Sequence, residues 1–126
     1  MFVVLFIVAL LVLMGLVVDG GAALTARQAA TDEAEQAARA GAGSLSTSAL
    51  RSGTVVLDPA TAVKVAEAFT VAVGHPGTAT VSGGVVTVTV QYRIGTSLLG
   101  IVGVDTLPVA GSASAVDVSG VTGATP

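Results

Sequence analysis

From Met1 to Val18 the chain reads MFVVLFIVALLVLMGLVV, without a single charged or polar side chain. As a helix this run is ~27 Å long at ~1.5 Å per residue, close to the ~30 Å thickness of a bilayer's hydrocarbon layer. A strip that is apolar on every side needs apolar surroundings on every side. The pattern therefore predicts a membrane or assembly helix, with Phe2, Leu5, Phe6, Leu10, Leu13 and Gly15 on its contact surface. A signal peptide is the rival reading, since Gly21-Ala22-Ala23 has a small-x-small cleavage pattern. Against it stand the missing basic n-region and an apolar run longer than the usual ~7–15 residues.

Beyond the apolar run the period changes but the helix is expected to continue. Ala22, Ala26, Ala30, Ala34, Ala38 and Ala42 recur every fourth residue, a ridge of small side chains that lets another element come close. This ridge is read as a packing face in an assembly. Glu35 and Arg39 form an i,i+4 pair in the favourable order. Asp19-Gly20-Gly21 marks the junction between the two surfaces, and the glycines are the expected place for a bend or local unwinding. Asp19 reads either as the membrane–water boundary or as a register-setting contact in a bundle, paired with a neighbour's amino group or Arg27. The helix is expected to end at Gly41-Ala42-Gly43-Ser44.

The remainder alternates between punctuation and short elements. Asp58-Pro59 opens a second helix as N-cap and first helical residue, and Gly74 and Pro76 close it. Val63, Ala66, Phe69, Thr70 and Val73 share one of its faces, with Phe69 as the core anchor. Ser82-Gly83-Gly84 then supplies a hairpin turn. In the following strand Val86, Val88, Val90 and Tyr92 fall on one face, and Thr87, Thr89, Gln91 and Arg93 on the other, the alternation of a half-buried antiparallel sheet. A third strand is expected over Leu107–Val118, after an apolar crossover, SLLGIVGVD, that either covers the sheet or forms an exposed patch. The fold class is thus α+β: a long N-terminal helix (1–43), a connector (44–57), a small head of one helix on a three-stranded antiparallel sheet (58–118), and a tail (119–126).

Composition narrows this further. Of the 126 residues 52% are hydrophobic, but these are mostly Ala and Val, and the first eighteen cannot belong to a globular core. The independent core is small, and with no cysteine there is no disulfide or Cys-ligated metal to staple it, so oligomerisation is the remaining support. The five basic residues are scattered, which counts against a nucleic-acid partner. The only histidine, His75, sits in a Gly-His-Pro-Gly turn, and no cluster has metal-ligand spacing. Asp32, Glu33 and Glu35 read as a solvated helix face. Gly83-Gly84 and Gly100-x-x-Gly103 lack the context of a phosphate loop. No enzyme activity, cofactor or small-molecule substrate is expected.

The string GLVVDGGAALTARQAATDEAEQAARAGA, directly after an apolar helix, resembles the N-terminal region of TadE/TadG-like proteins of bacterial Tad (Flp-type) pili, particularly actinobacterial forms. VVTVTVQYRIGTSLLGIVGVDTLPVAGSASA resembles their C-terminal part in composition. The resemblance implies a structural, pilin-like subunit that sits in the membrane before assembly. Its partners would be copies of itself and other pilin-like subunits. Its place would be a surface filament, or the cytoplasmic membrane with an extracytoplasmic head. Type IV pilins generally carry Glu at the fifth mature position, and here that position is Leu5. Two other functions compete: a membrane-anchored binding or assembly-factor module that does not polymerise, and a secreted domain with a signal peptide.

Overall fold

The computed structural model describes residues 1–52 and 58–116, with the backbone alone for 45–52. Helix α1 spans Phe2–Ser52, α2 Pro59–Val73, and three strands follow: β1 Gly77–Ser82, β2 Val85–Gly95 and β3 Thr106–Val116. A single 3-10 turn, Leu99–Val102, interrupts the β2–β3 connection. The sheet is an antiparallel meander in the order β1-β2-β3, so the expected α+β class and three-stranded sheet are those observed.

Local chemistry explains the small elements. Asp58 caps α2, its Oδ1 accepting the Ala60 N–H at 3.1 Å, with Pro59 in the first helical position. Gly74, in the left-handed region at φ 101°, ends the helix by donating its N–H to Thr70 and Val71 carbonyls. Gly83 and Gly84 form a two-residue hairpin turn with φ of 59° and 79°, values that suit glycine and match the twist of the flanking strands. The third strand ends its described part at Val116; residues 117–118 of the expected strand, the tail 119–126, and residues 53–57 of the connector lie outside the described residues.

The core is built from small residues on α1, α2 and all three strands, with Ala79 of β1 and Val109 of β3 at its sides. Val86, Val88 and Val90 of β2 are fully buried, each contributing roughly 1.5–3 kcal/mol relative to exposure. They face Ala30, Ala34, Ala37, Ala38 and Ala42 of α1 and Ala62 and Ala66 of α2. The outer face of the sheet is polar, with hydroxyl pairs Thr87–Ser114 at 2.8 Å and Thr89–Ser112 at 3.1 Å bridging β2 and β3. Two glycines set how close the layers come. A Cβ on Gly111 would lie 2.3 Å from the Thr31 nitrogen, so β3 rests backbone-to-backbone on α1. A Cβ on Gly41 would lie 3.0 Å from the Ala62 oxygen and 3.1 Å from Val86 Cγ1, at the crossing of α1 with α2 and β2.

This packing corrects four expectations. The alanine ridge from Ala26 to Ala42 is covered by the chain's own head, with Ala30, Ala34, Ala38 and Ala42 buried and Ala26 packed against the core. It is therefore not free for a second helix. The long helix does not end at Gly41–Ser44 but runs to Ser52, because Gly41 and Ala42 are held in helical form by the α2 and β2 contacts. The α2 core face is Ala62, Ala66 and Thr70; Phe69 is half-buried at its margin and Val73 is 51% exposed. Close approach of two helices at Gly41 selects small residues for the contact line and pushes the bulky ones to its edge. Finally, the α-helix continues through Gly20 and Gly21 without a break, so no unwinding occurs there.

Candidate functional site: the helix–head junction

Helix α1 has two surfaces. From Met1 to Val18 every residue except Gly15 is exposed, including Phe2, Leu5, Phe6, Leu10 and Leu13. From Ala30 onward one face is sealed by the head. Asp19 lies between them and is only 2% exposed. Its carboxylate accepts three backbone N–H groups from the β2–β3 connection: Oδ1 takes that of Ser97 at 2.8 Å, and Oδ2 those of Leu98 at 2.9 Å and Leu99 at 2.7 Å. One turn earlier, Gly15 leaves room for the loop, since a Cβ there would meet Leu98 Cβ at 3.2 Å.

The loop that Asp19 holds is closed on itself. The Thr96 N–H donates to the Asp105 carbonyl at 3.0 Å, and the Val104 N–H to the Leu99 carbonyl at 3.0 Å. Its apolar side chains Leu98, Ile101, Val102 and Val104 are exposed. Two steps further from the apolar end, Tyr92 bridges sheet and helix by donating its hydroxyl to the Ala26 carbonyl at 2.8 Å. Arg27 and Arg93 line an open groove of about 720 Å³ between α1 and the β2–β3 sheet, together with Leu24 and Pro108.

Neither sequence reading of Asp19 describes this arrangement. Within the chain its partners are the amides of its own head and not Arg27. Gly15 serves as the seat of that loop, whereas Gly20 and Gly21 meet no other part of the chain within contact range of a Cβ. Glu33, expected on a solvated face, is 8% exposed and its Oε2 lies 2.9 Å from His75 Nδ1. His75 stacks on Tyr92 with ring centroids 4.0 Å apart, so a second polar contact ties α1 to the head. The neighbouring Glu35 does pair with Arg39 on the helix surface as expected. What sequence reasoning missed are the amides of Ser97–Leu99, which carry no side-chain signature; the only sign of them was an acid placed where an acid is costly.

No three-residue group of His, Cys, Asp or Glu among the described residues could hold a metal. Fold and junction together define a protein with a long, apolar-ended helix that carries a small α+β head clasped to its own stem. Residues 1–44 match the model of the Tad family, described as Putative Flp pilus-assembly TadE/G-like. The match covers the N-terminal part of the resemblance seen in the sequence, from the apolar end of α1 through the buried alanine ridge, and not its C-terminal part. No curated protein and no solved structure matches the chain.

Proposed function

We propose that this chain is a pilin-like structural subunit of a Tad-type pilus. Its segment Phe2–Val18 resides in the membrane with the head on the extracytoplasmic side, and afterwards packs with copies of itself and other pilin-like subunits. The observation that carries this reading is the apolar end of α1, where sixteen of the seventeen residues from Phe2 to Val18 are exposed, Gly15 being the exception. Such a surface needs lipid or other helices around it. The match of residues 1–44 to a pilus-assembly family supports a role in a Tad pilus. Polar contacts from the head to α1, Tyr92 to the Ala26 carbonyl and the Ser97–Leu99 amides to Asp19, fit a structural role.

One observation favours the second reading, a membrane-anchored assembly factor that does not polymerise. The small-residue ridge, the surface best suited to tight helix packing, is already occupied by the head. Of the two surfaces of α1, the apolar end is the one left open for contacts between subunits. Electron microscopy of sheared surface material, with antibody labelling of the head, separates the two. Labelled filaments are the expected result; label confined to the membrane fraction, in cells that still make filaments, would establish the assembly-factor reading instead.

A further inference from the structure

We propose that the β2–β3 loop is a second membrane-inserted element, which dips into the bilayer interface beside α1 and seats the head directly on the lipid surface. This rests on the reading of Phe2–Val18 as membrane-embedded. The loop's depth is the first argument. Asp19 grips Ser97–Leu99, and Leu98 lies over Gly15, so the loop runs back along α1 by one turn into the apolar segment. Gly15 lies ~6 Å below Asp19 at ~1.5 Å per residue. A helix embedded up to Val18 therefore carries Leu98 below the hydrocarbon boundary with it.

The loop's surface fits that position. Ile101 is 84% exposed, and Leu98, Val102 and Val104 are exposed around it. Hydrocarbon tolerates irregular backbone only where its polar groups are satisfied. Asp19 takes the N–H groups of Ser97, Leu98 and Leu99, and those of Ile101, Gly103 and Val104 go to carbonyls within the loop. The Asp19 carboxylate is in turn satisfied and shielded, which lowers the penalty of holding an acid at the edge of hydrocarbon.

Charge order selects lipid over a second copy of the chain. Moving away from the apolar end, the loop comes first, and Arg27 and Arg93 follow in the groove above it. An apolar layer overlaid by cations matches the sequence of acyl chain and phosphate in a bilayer leaflet.

The chain contains no cysteine, so single reporters need no background removed. Full-length Ile101→Cys, Val102→Cys, Val8→Cys and Thr80→Cys variants are labelled with an environment-sensitive fluorophore and reconstituted into phosphatidylcholine–phosphatidylglycerol vesicles. Quenching by a shallow lipid nitroxide is compared with quenching by aqueous iodide. The expected result is a blue-shifted emission and loss of iodide quenching at positions 101 and 102, with strong nitroxide quenching. Position 80 should show the reverse, and position 8 should be protected from iodide. Lipid protection at position 8 with iodide quenching at 101 and 102 overturns the loop proposal and leaves the membrane helix intact. Iodide quenching at position 8 overturns the membrane reading, and this proposal with it. Protection of 101 from both quenchers, lost on dilution with excess lipid, assigns the loop to a contact between copies and also overturns it.

Discussion

Asp19 and Asp58 are both acids that accept backbone amides, and they make different predictions. Asp19 accepts three part-buried N–H groups, so removing it takes away the acceptor that orders them. Asp19→Ala should release the loop: amide exchange at Ser97–Leu99 should rise while that of the β1–β2 ladder stays protected. Asp19→Asn retains an acceptor and should loosen the loop less. Unchanged exchange in the alanine variant would show that the clasp contributes nothing to loop order. Asp58 sits at the exposed start of α2, and the Thr61 hydroxyl, followed by the Ala60 amide, holds its carboxyl below the usual value. Because the folded pKa lies below the unfolded one, near 3.9, the cap stabilises above that value. It is lost as pH falls through the folded pKa. Far-UV circular dichroism should therefore show an acid transition of the wild type, at pH below about 4, that is smaller in Asp58→Ala. Loss of the wild-type transition to the same degree in both would assign it to other carboxylates.

At the level of elements, propensity and punctuation were readable where the element is defined by its own residues. Asp58-Pro59, Gly74 and the Gly83-Gly84 turn fix α2 and the hairpin, and the Val86–Val90 alternation fixes the buried face of β2. Reading failed where a neighbour decides. Gly41 and Gly43 look like a helix end, yet Gly41 stays helical because Ala62, Ala66 and Val86 pack on it. Phe69 looks like a core anchor, yet the close α1–α2 crossing admits only Ala62, Ala66 and Thr70. The alanine period was visible, but period alone cannot say whether the surface that covers it belongs to the same chain. The structure turns that period into a measurable expectation. Ala34→Leu places a large side chain into the seam between α1 and the sheet and should cost about 1–3 kcal/mol. Ala22→Leu, on the exposed side of the same helix, should change stability by less than about 0.5 kcal/mol. Chemical denaturation in detergent measures both, and equal effects at the two sites would contradict the packing.

For the whole molecule, the helix and the head cannot be separated where the sequence suggests a boundary. Residues 1–43 contain Ala30, Ala34, Ala37, Ala38 and Ala42, which form one wall of the head's core. A chain starting at Ser44 should accordingly lack dispersed amide resonances, whereas one starting at Ala22 keeps the whole core and should fold as a soluble monomer. A folded protein from Ser44 onward would show that the head stands alone. The candidate site was half legible on this scale. The apolar run announced its need for cover, and Asp19 marked where that run stops. The loop partner stayed hidden because it is 78 to 80 positions away in the chain and binds through its main chain.

The backbone contact at Gly111, with no side chain between strand and helix, has a mechanical consequence. Together with the Asp19 clasp and an α-helix that is continuous through Gly20 and Gly21, it joins stem and head by direct backbone contacts among the described residues. Tension applied to the head should therefore load the apolar stem directly, and a displacement of one helical pitch, ~5.4 Å, should reach it through the same contacts.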